Sequence, residues 1–131
     1  MKPEDLLFAK THEWAHVAEQ DGDKIATVGI SAFAVEALTD LVFMELPSVG
    51  LQVEPEQAFC EVESVKAVSD VYAPVAGELV AVNAQLPDAL EKLSEDPYGF
   101  GWIARIKMSG DADSAHLMDF PAYQKQCEEE A

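Results

Sequence analysis

Apolar and polar residues alternate over short stretches, and turn-forming residues separate those stretches. Residues 11–17 lead into Glu-Gln-Asp-Gly-Asp, and residues 24–30 follow as a second apolar run. Asp21-Gly22 between them is a strong hairpin signal, because Gly takes φ > 0 without a Cβ clash. Ser31 fits an N-cap, and Ala32–Leu38 supplies one or two helical turns with Phe33, Val35 and Leu38 as apolar positions. Residues 41–46 predict a buried strand, stopped by Pro47 and Gly50. Residues 57–63, 67–72 and 77–82 predict three more strands, and residues 87–93 a short helix with Pro in its first turn. Glu95-Asp-Pro-Tyr-Gly reads as a turn, and residues 102–107 close the sheet. The tail over 113–130 is helical in pattern, with Leu117, Phe120, Tyr123 and Cys127 spaced 3, 3 and 4 apart. Many short strands with Gly and Pro turns imply a mainly β sandwich or barrel decorated by short helices.

The 131 residues suit one domain over 1–131, long enough to bury its own core. An apolar share of 49% and a charged share of 25% exclude a disordered chain. Eight basic against 25 acidic residues give a net charge of −17. That field repels phosphate, so nucleic acid and anionic membranes are not expected partners, whereas basic docking patches are. No apolar run is long enough to span a bilayer. The start, MKPEDLLFAK, lacks a secretory core and the Arg-rich character of a transit peptide, so bacterial cytoplasm is expected ahead of the mitochondrial matrix. Cys60 and Cys127 form no CxxC and read as two free thiols.

His12-Glu13-Trp14-Ala15-His16 matches the H-E-x-x-H pattern of zinc proteases. That chemistry needs a helix, where residues i and i+4 converge. Here the segment enters an Asp-Gly hairpin, and on a strand positions four apart are separated by about 13 Å. One zinc ion with bonds near ~2 Å cannot join them, so no metal site is expected and Trp14 is expected to pack inward.

Lysine is scarce, and Lys66 stands in Glu61-Val-Glu-Ser-Val-Lys-Ala-Val-Ser-Asp70, flanked by β-formers and then by acids. With Val65 and Lys66 as the central residues of a turn, Glu63 pairs with Val68, Val62 with Ser69, Glu61 with Asp70 and Cys60 with Val71. Such a tip projects one lysine from a rigid base to a modifying enzyme. The turn has no Asn-Gly or Asp-Gly, and the register sets two acids face to face, which destabilises a strand pair.

Six blocks, in order, extend the pattern: Thr11-His-Glu-Trp14; Ala26-Thr-Val-Gly-Ile-Ser31; Asp40-Leu-Val-Phe-Met-Glu-Leu-Pro47; Glu63-Ser-Val-Lys-Ala-Val-Ser-Asp70; Tyr72-Ala-Pro-Val-Ala-Gly-Glu78; and Glu95-Asp-Pro-Tyr-Gly-Phe-Gly-Trp102. With them the chain resembles, over nearly its whole length, the H proteins of the glycine cleavage system. Biotin carriers place their lysine between methionines, and oxo-acid dehydrogenase lipoyl domains usually have Asp before it, where this chain has Val65. Cys60 stands where a small residue is usual, and Phe100 where a polar one is common.

The resemblance implies a lipoyl/biotinyl-type β-sandwich (a barrel-sandwich hybrid) of two small antiparallel sheets, with short helices and a C-terminal helical tail over about 113–131. It implies lipoate in amide linkage on Lys66, with Glu63, Val65 and Ala67 forming the zone read by a lipoate ligase or octanoyltransferase. It also implies a monomeric carrier without catalytic residues of its own. The aminomethyl group of glycine would pass from a pyridoxal-phosphate glycine decarboxylase to a tetrahydrofolate-dependent aminomethyltransferase, and electrons to the FAD enzyme dihydrolipoyl dehydrogenase. An H-like protein that relays lipoate to other enzymes is the alternative. A carbon held between nitrogen and sulfur hydrolyses readily, so a cleft that excludes water protects the loaded arm. Thr11, Glu13 and Asp70 are the residues that the resemblance assigns to this cleft. Cys60, six residues from Lys66, is expected to be a small, half-buried apolar side chain that does not exchange with the lipoyl disulfide.

Overall fold

The computed structural model describes residues 2–109 and 116–130. The described strands are β1 (Leu7–Phe8), β2 (Glu13–Gln20), β3 (Asp23–Ile30), β4 (Leu41–Glu45), β5 (Gln52–Val53), β6 (Ala58–Ser64), β7 (Val68–Tyr72), β8 (Gly77–Val82) and β9 (Ala104–Met108). Helix α1 (Ala32–Leu38) follows β3, α2 (Leu90–Glu95) precedes β9, and α3 (Phe120–Glu130) comes last. The strands form two antiparallel sheets, one of six in the order β1-β2-β3-β9-β8-β5 and one of three in the order β4-β6-β7. Val28, Ile30, Leu79 and Ile106 of the large sheet meet Met44, Val62 and Val71 of the small one in a single core cluster. The expected mainly β sandwich therefore forms, with one sheet twice as broad as the other.

Local chemistry explains the elements that frame the site. Gln20 faces Asp23 across the β2–β3 hairpin. Asp21 (φ 53°) and Gly22 (φ 85°) both occupy the left-handed region that this tight turn demands. Ser31 caps α1, its Oγ accepting from the Ala34 N–H. Thr39, with φ 64°, ends the helix.

Four elements differ from the sequence reading. The strand read as buried over 41–46 is β4, an edge strand with a bulge between Leu41 and Phe43. Only Met44 is buried there, while Val42 and Phe43 are about half exposed. An apolar run does not reveal that its strand lies at an edge with one face uncovered. The helix expected over 87–93 splits at Ala89 (φ −144°, ψ 45°) into a 3₁₀ turn, Leu86–Asp88, and α2. The tail helix starts at Phe120, because Met118 pairs with Phe8 as an isolated β-bridge; residues 113–115 lie outside the described residues. The first hairpin strand starts at Glu13 rather than at residue 11.

Helix α3 closes a second apolar cluster. Tyr123 stacks on Phe8 at 4.4 Å between ring centroids and packs with Leu6 and Trp14. Trp14 is fully buried, as expected, and its Nε1 donates to the Pro97 carbonyl at 3.0 Å. Gly29, opposite Trp14 in the β2–β3 register, leaves room for that ring. A Cβ there would lie 2.7 Å from Trp14 Nε1. Gly29→Ala should therefore cost about 1–3 kcal/mol through overpacking. Urea unfolding reads this as a lower midpoint, and an unchanged midpoint would contradict the packing argument.

Candidate functional site

The β6–β7 hairpin carries Val65 and Lys66 at its tip. Its pairs are Glu63 with Val68, Val62 with Ser69, Glu61 with Asp70 and Cys60 with Val71, the register read from the sequence. Neither Val65 nor Lys66 takes positive φ, so the tip is not one of the Gly-dependent hairpin turns. Ser64 closes it instead. The buried Ser64 Oγ accepts from the N–H groups of Lys66 (3.2 Å) and Ala67 (3.1 Å) and donates to the Ala67 carbonyl (3.3 Å). The Val65 N–H donates to the Asp40 carbonyl at 3.0 Å, which ties the tip to the α1–β4 connection. Lys66 stands exposed on this base, outside the ion pairs found among the described residues. Sequence reasoning missed Ser64; the available signal was a hydroxyl two residues before the lysine, where it reaches the turn N–H groups.

Thr11, Glu13 and Asp70 line one cleft of about 280 Å³. Ile30, Phe33, Ala37, Leu38, Val62 and Val71 make its walls apolar. Asp70 lies four residues along the hairpin from Lys66, about 13 Å at ~3.3 Å per residue. Glu13 is only 2% exposed. The Thr11 hydroxyl hydrogen-bonds one of its carboxyl oxygens, and the Tyr72 N–H donates to the other at 3.2 Å. Burial outweighs these bonds and pushes the carboxyl up to about 7. The cleft therefore combines apolar walls with a buried acid pushed up to about 7, an arrangement that suits an apolar arm ending in a cation that favours the ionised carboxylate.

The outward face of the small sheet carries the rest of the predicted zone. Glu63 lies there between Phe43 and Val68 in one cross-strand row, and Val65 and Ala67 are exposed at the tip. The next such row holds three acids, Glu45, Glu61 and Asp70. Like charges directly opposite cost each pair a fraction of a kcal/mol, roughly 0.2–1. Beneath them Cys60 is buried, its thiol donating to the Glu45 carbonyl at 3.2 Å. Burial pushes that thiol up to about 12. Disulfide exchange needs an accessible thiolate, which burial disfavours at Cys60.

The H-E-x-x-H segment does not form a helix. Glu13–Gln20 is strand β2, His12 precedes it with φ 79°, and among the described residues no group of three or more metal-ligating side chains assembles.

The family model described as glycine cleavage H-protein matches residues 6–130. The chain belongs to this family. The H protein of Rhodopirellula baltica is 59% identical over 127 residues, covering 97% of this chain and 96% of its own. That of Pseudoalteromonas atlantica is 50% identical over 129 residues, 98% of this chain and 97% of its own. The crystal structure of a glycine cleavage system H protein from Mycobacterium marinum superposes with a TM-score of 0.85 at 38% identity, covering 95% of this chain and 98% of that one. The resemblance read from the six sequence blocks thus holds at the level of both family and fold.

The Glu13 environment fixes a pH dependence. An acid whose folded pKa is raised contributes stability that is full below its unfolded value, near 4.5, and is lost as pH rises through about 7. The loss is on the order of 3 kcal/mol. Glu13→Gln keeps a neutral group that can donate to Thr11 and accept from Tyr72. Urea unfolding between about pH 5 and pH 8 should show wild-type stability falling across this window and the variant's nearly flat; parallel curves would exclude a protonated buried Glu13.

Proposed function

We propose that this H-protein family member is the lipoyl carrier of glycine cleavage, with lipoate in amide linkage on Lys66. The observation that carries the reading is Lys66 exposed on a Ser64-closed hairpin, on the same strand pair as a cleft that ends in Glu13. The residues present fit the group: apolar walls suit its hydrocarbon arm, and Glu13, Thr11 and Asp70 suit a cationic end. When bound, lipoate would supply a disulfide whose opening accepts two electrons and leaves one sulfur to carry the aminomethyl group. The chain's own residues hold and shelter the arm. Thr11 and Glu13 offer a hydroxyl and a carboxyl to an ammonium, Asp70 adds a second acid at the rim, and the apolar walls exclude water.

The chain itself acts as a non-catalytic co-substrate and a cytoplasmic monomer. Its partners are a pyridoxal-phosphate glycine decarboxylase, a tetrahydrofolate-dependent aminomethyltransferase and an FAD-dependent dihydrolipoyl dehydrogenase, with a lipoate ligase or octanoyltransferase attaching the cofactor. Glu63, Val65 and Ala67 form the zone read by the attaching enzyme. The acid row Glu45–Glu61–Asp70 and the charge of −17 support docking through basic partner surfaces.

Intact-mass measurement of protein from lipoate-competent cells should show the increment of one lipoyl group, and Lys66→Arg should abolish it. A lipoylated Lys66→Arg protein would refute the assignment. Glycine–bicarbonate exchange with purified decarboxylase separates the carrier from a lipoate relay, which would not support it. Exchange should also slow as ionic strength rises from about 0.01 to 0.15 M, because screening shortens the steering range. Salt-independent exchange would remove the steering role.

A further inference from the structure

His12 sits between the two cleft residues, Thr11 and Glu13, yet the reading above gives it no task. Its backbone is left-handed, φ 79°, a conformation that costs a side-chain-bearing residue free energy unless its surroundings hold it. Its ring is held from two helices. It stacks on Phe33 of α1 at 4.8 Å between centroids. Nδ1 lies 2.6 Å from the Tyr123 hydroxyl of α3, and Nε2 lies 3.1 Å from Glu130 Oε1 at the end of α3. The Tyr123 hydroxyl is in turn 2.6 Å from Ser31 Oγ, the α1 cap.

One assignment of protons satisfies the whole chain. Ser31 donates to Tyr123, Tyr123 donates to His12 Nδ1, and His12 Nε2–H donates to the Glu130 carboxylate. The backbone is fixed as well: His12 N–H donates to the Ala9 carbonyl (2.9 Å), and the His12 carbonyl accepts from Ser31 N–H (2.9 Å). The turn at His12 thus sets where its neighbours' side chains go, and those neighbours meet in the Thr11–Glu13 hydrogen bond.

We propose that His12 is the positioning residue of the cleft: its ring, clamped between α1 and α3, holds the Thr11–Glu13 pair in the geometry that receives the arm. This rests on the arm-cleft reading above. The other charged or titratable groups facing the cleft are Asp70 from β7 and Glu130 from α3; α1 and β3 contribute apolar side chains only.

His12→Gly removes the ring while easing the positive-φ backbone, which offsets part of the lost contacts and keeps the variant folded for the test. Tyr123→Phe removes one hydroxyl and keeps the buried ring, which guards against an unfolded first variant. The first readout is the Glu13 titration in unmodified protein by carbon-detected NMR. Its midpoint should fall by about one pH unit in both variants, as the carboxyl loses its enforced burial. The second is formaldehyde release from lipoylated, glycine-loaded protein. Release should rise in both variants by a similar factor to that in Glu13→Gln, and His12→Gly should add nothing in a Glu13→Gln background. An unmoved Glu13 midpoint in folded His12→Gly and Tyr123→Phe would overturn the positioning role, even if Glu13→Gln speeds release. Release unchanged in Glu13→Gln itself would overturn the arm-cleft reading, and the inference with it.

Discussion

A carboxyl group with 2% exposure lies where the two sheets meet, and the site is organised around it. Glu13 belongs to the six-stranded sheet, yet its second oxygen accepts the Tyr72 N–H of the three-stranded one. That bond ties the lysine-bearing hairpin to the frame that carries α1 and α3. A buried acid needs compensation. Here a hydroxyl and one N–H give part of it, and a proton gives the rest near neutral pH.

The two sheets divide the work. The broad sheet and α3 make a closed frame, with Trp14, Phe8 and Tyr123 packed at one end. The small sheet is covered on one face only, and its open face presents Phe43, Glu63 and Val68 next to three aligned acids. Apolar area and repelled charge on one exposed face are costly for an isolated molecule, and a surface that matches the apolar area and opposes the charge relieves both costs.

Much of this was legible in the chain. Asp21-Gly22 and the Ser31 cap follow from turn and cap chemistry, the β6–β7 register from placing Val65 and Lys66 at the turn, and all three hold residue by residue. The family blocks assign Thr11, Glu13 and Asp70 to an arm cleft, and the fold brings these three to one cavity. Other features depend on distant partners. β1 and β5 have two residues each, too few to show a period. The exposure of Val42 and Phe43 depends on which strand lies at the edge, which no local pattern encodes. The contacts from His12 to Tyr123 and Glu130 span 111 and 118 residues. Ser64 carried no assigned role in the sequence, because its hydroxyl bonds backbone two and three residues ahead.

That role of Ser64 separates two demands on the hairpin tip, the shape of the turn and the surface it displays. The bend is imposed by a hydroxyl hidden below it, so the exposed side chains at 65 and 67 are released from conformational duty. Substitutions at 65 and 67 can then change the displayed surface while the Ser64 bonds keep the scaffold that presents it.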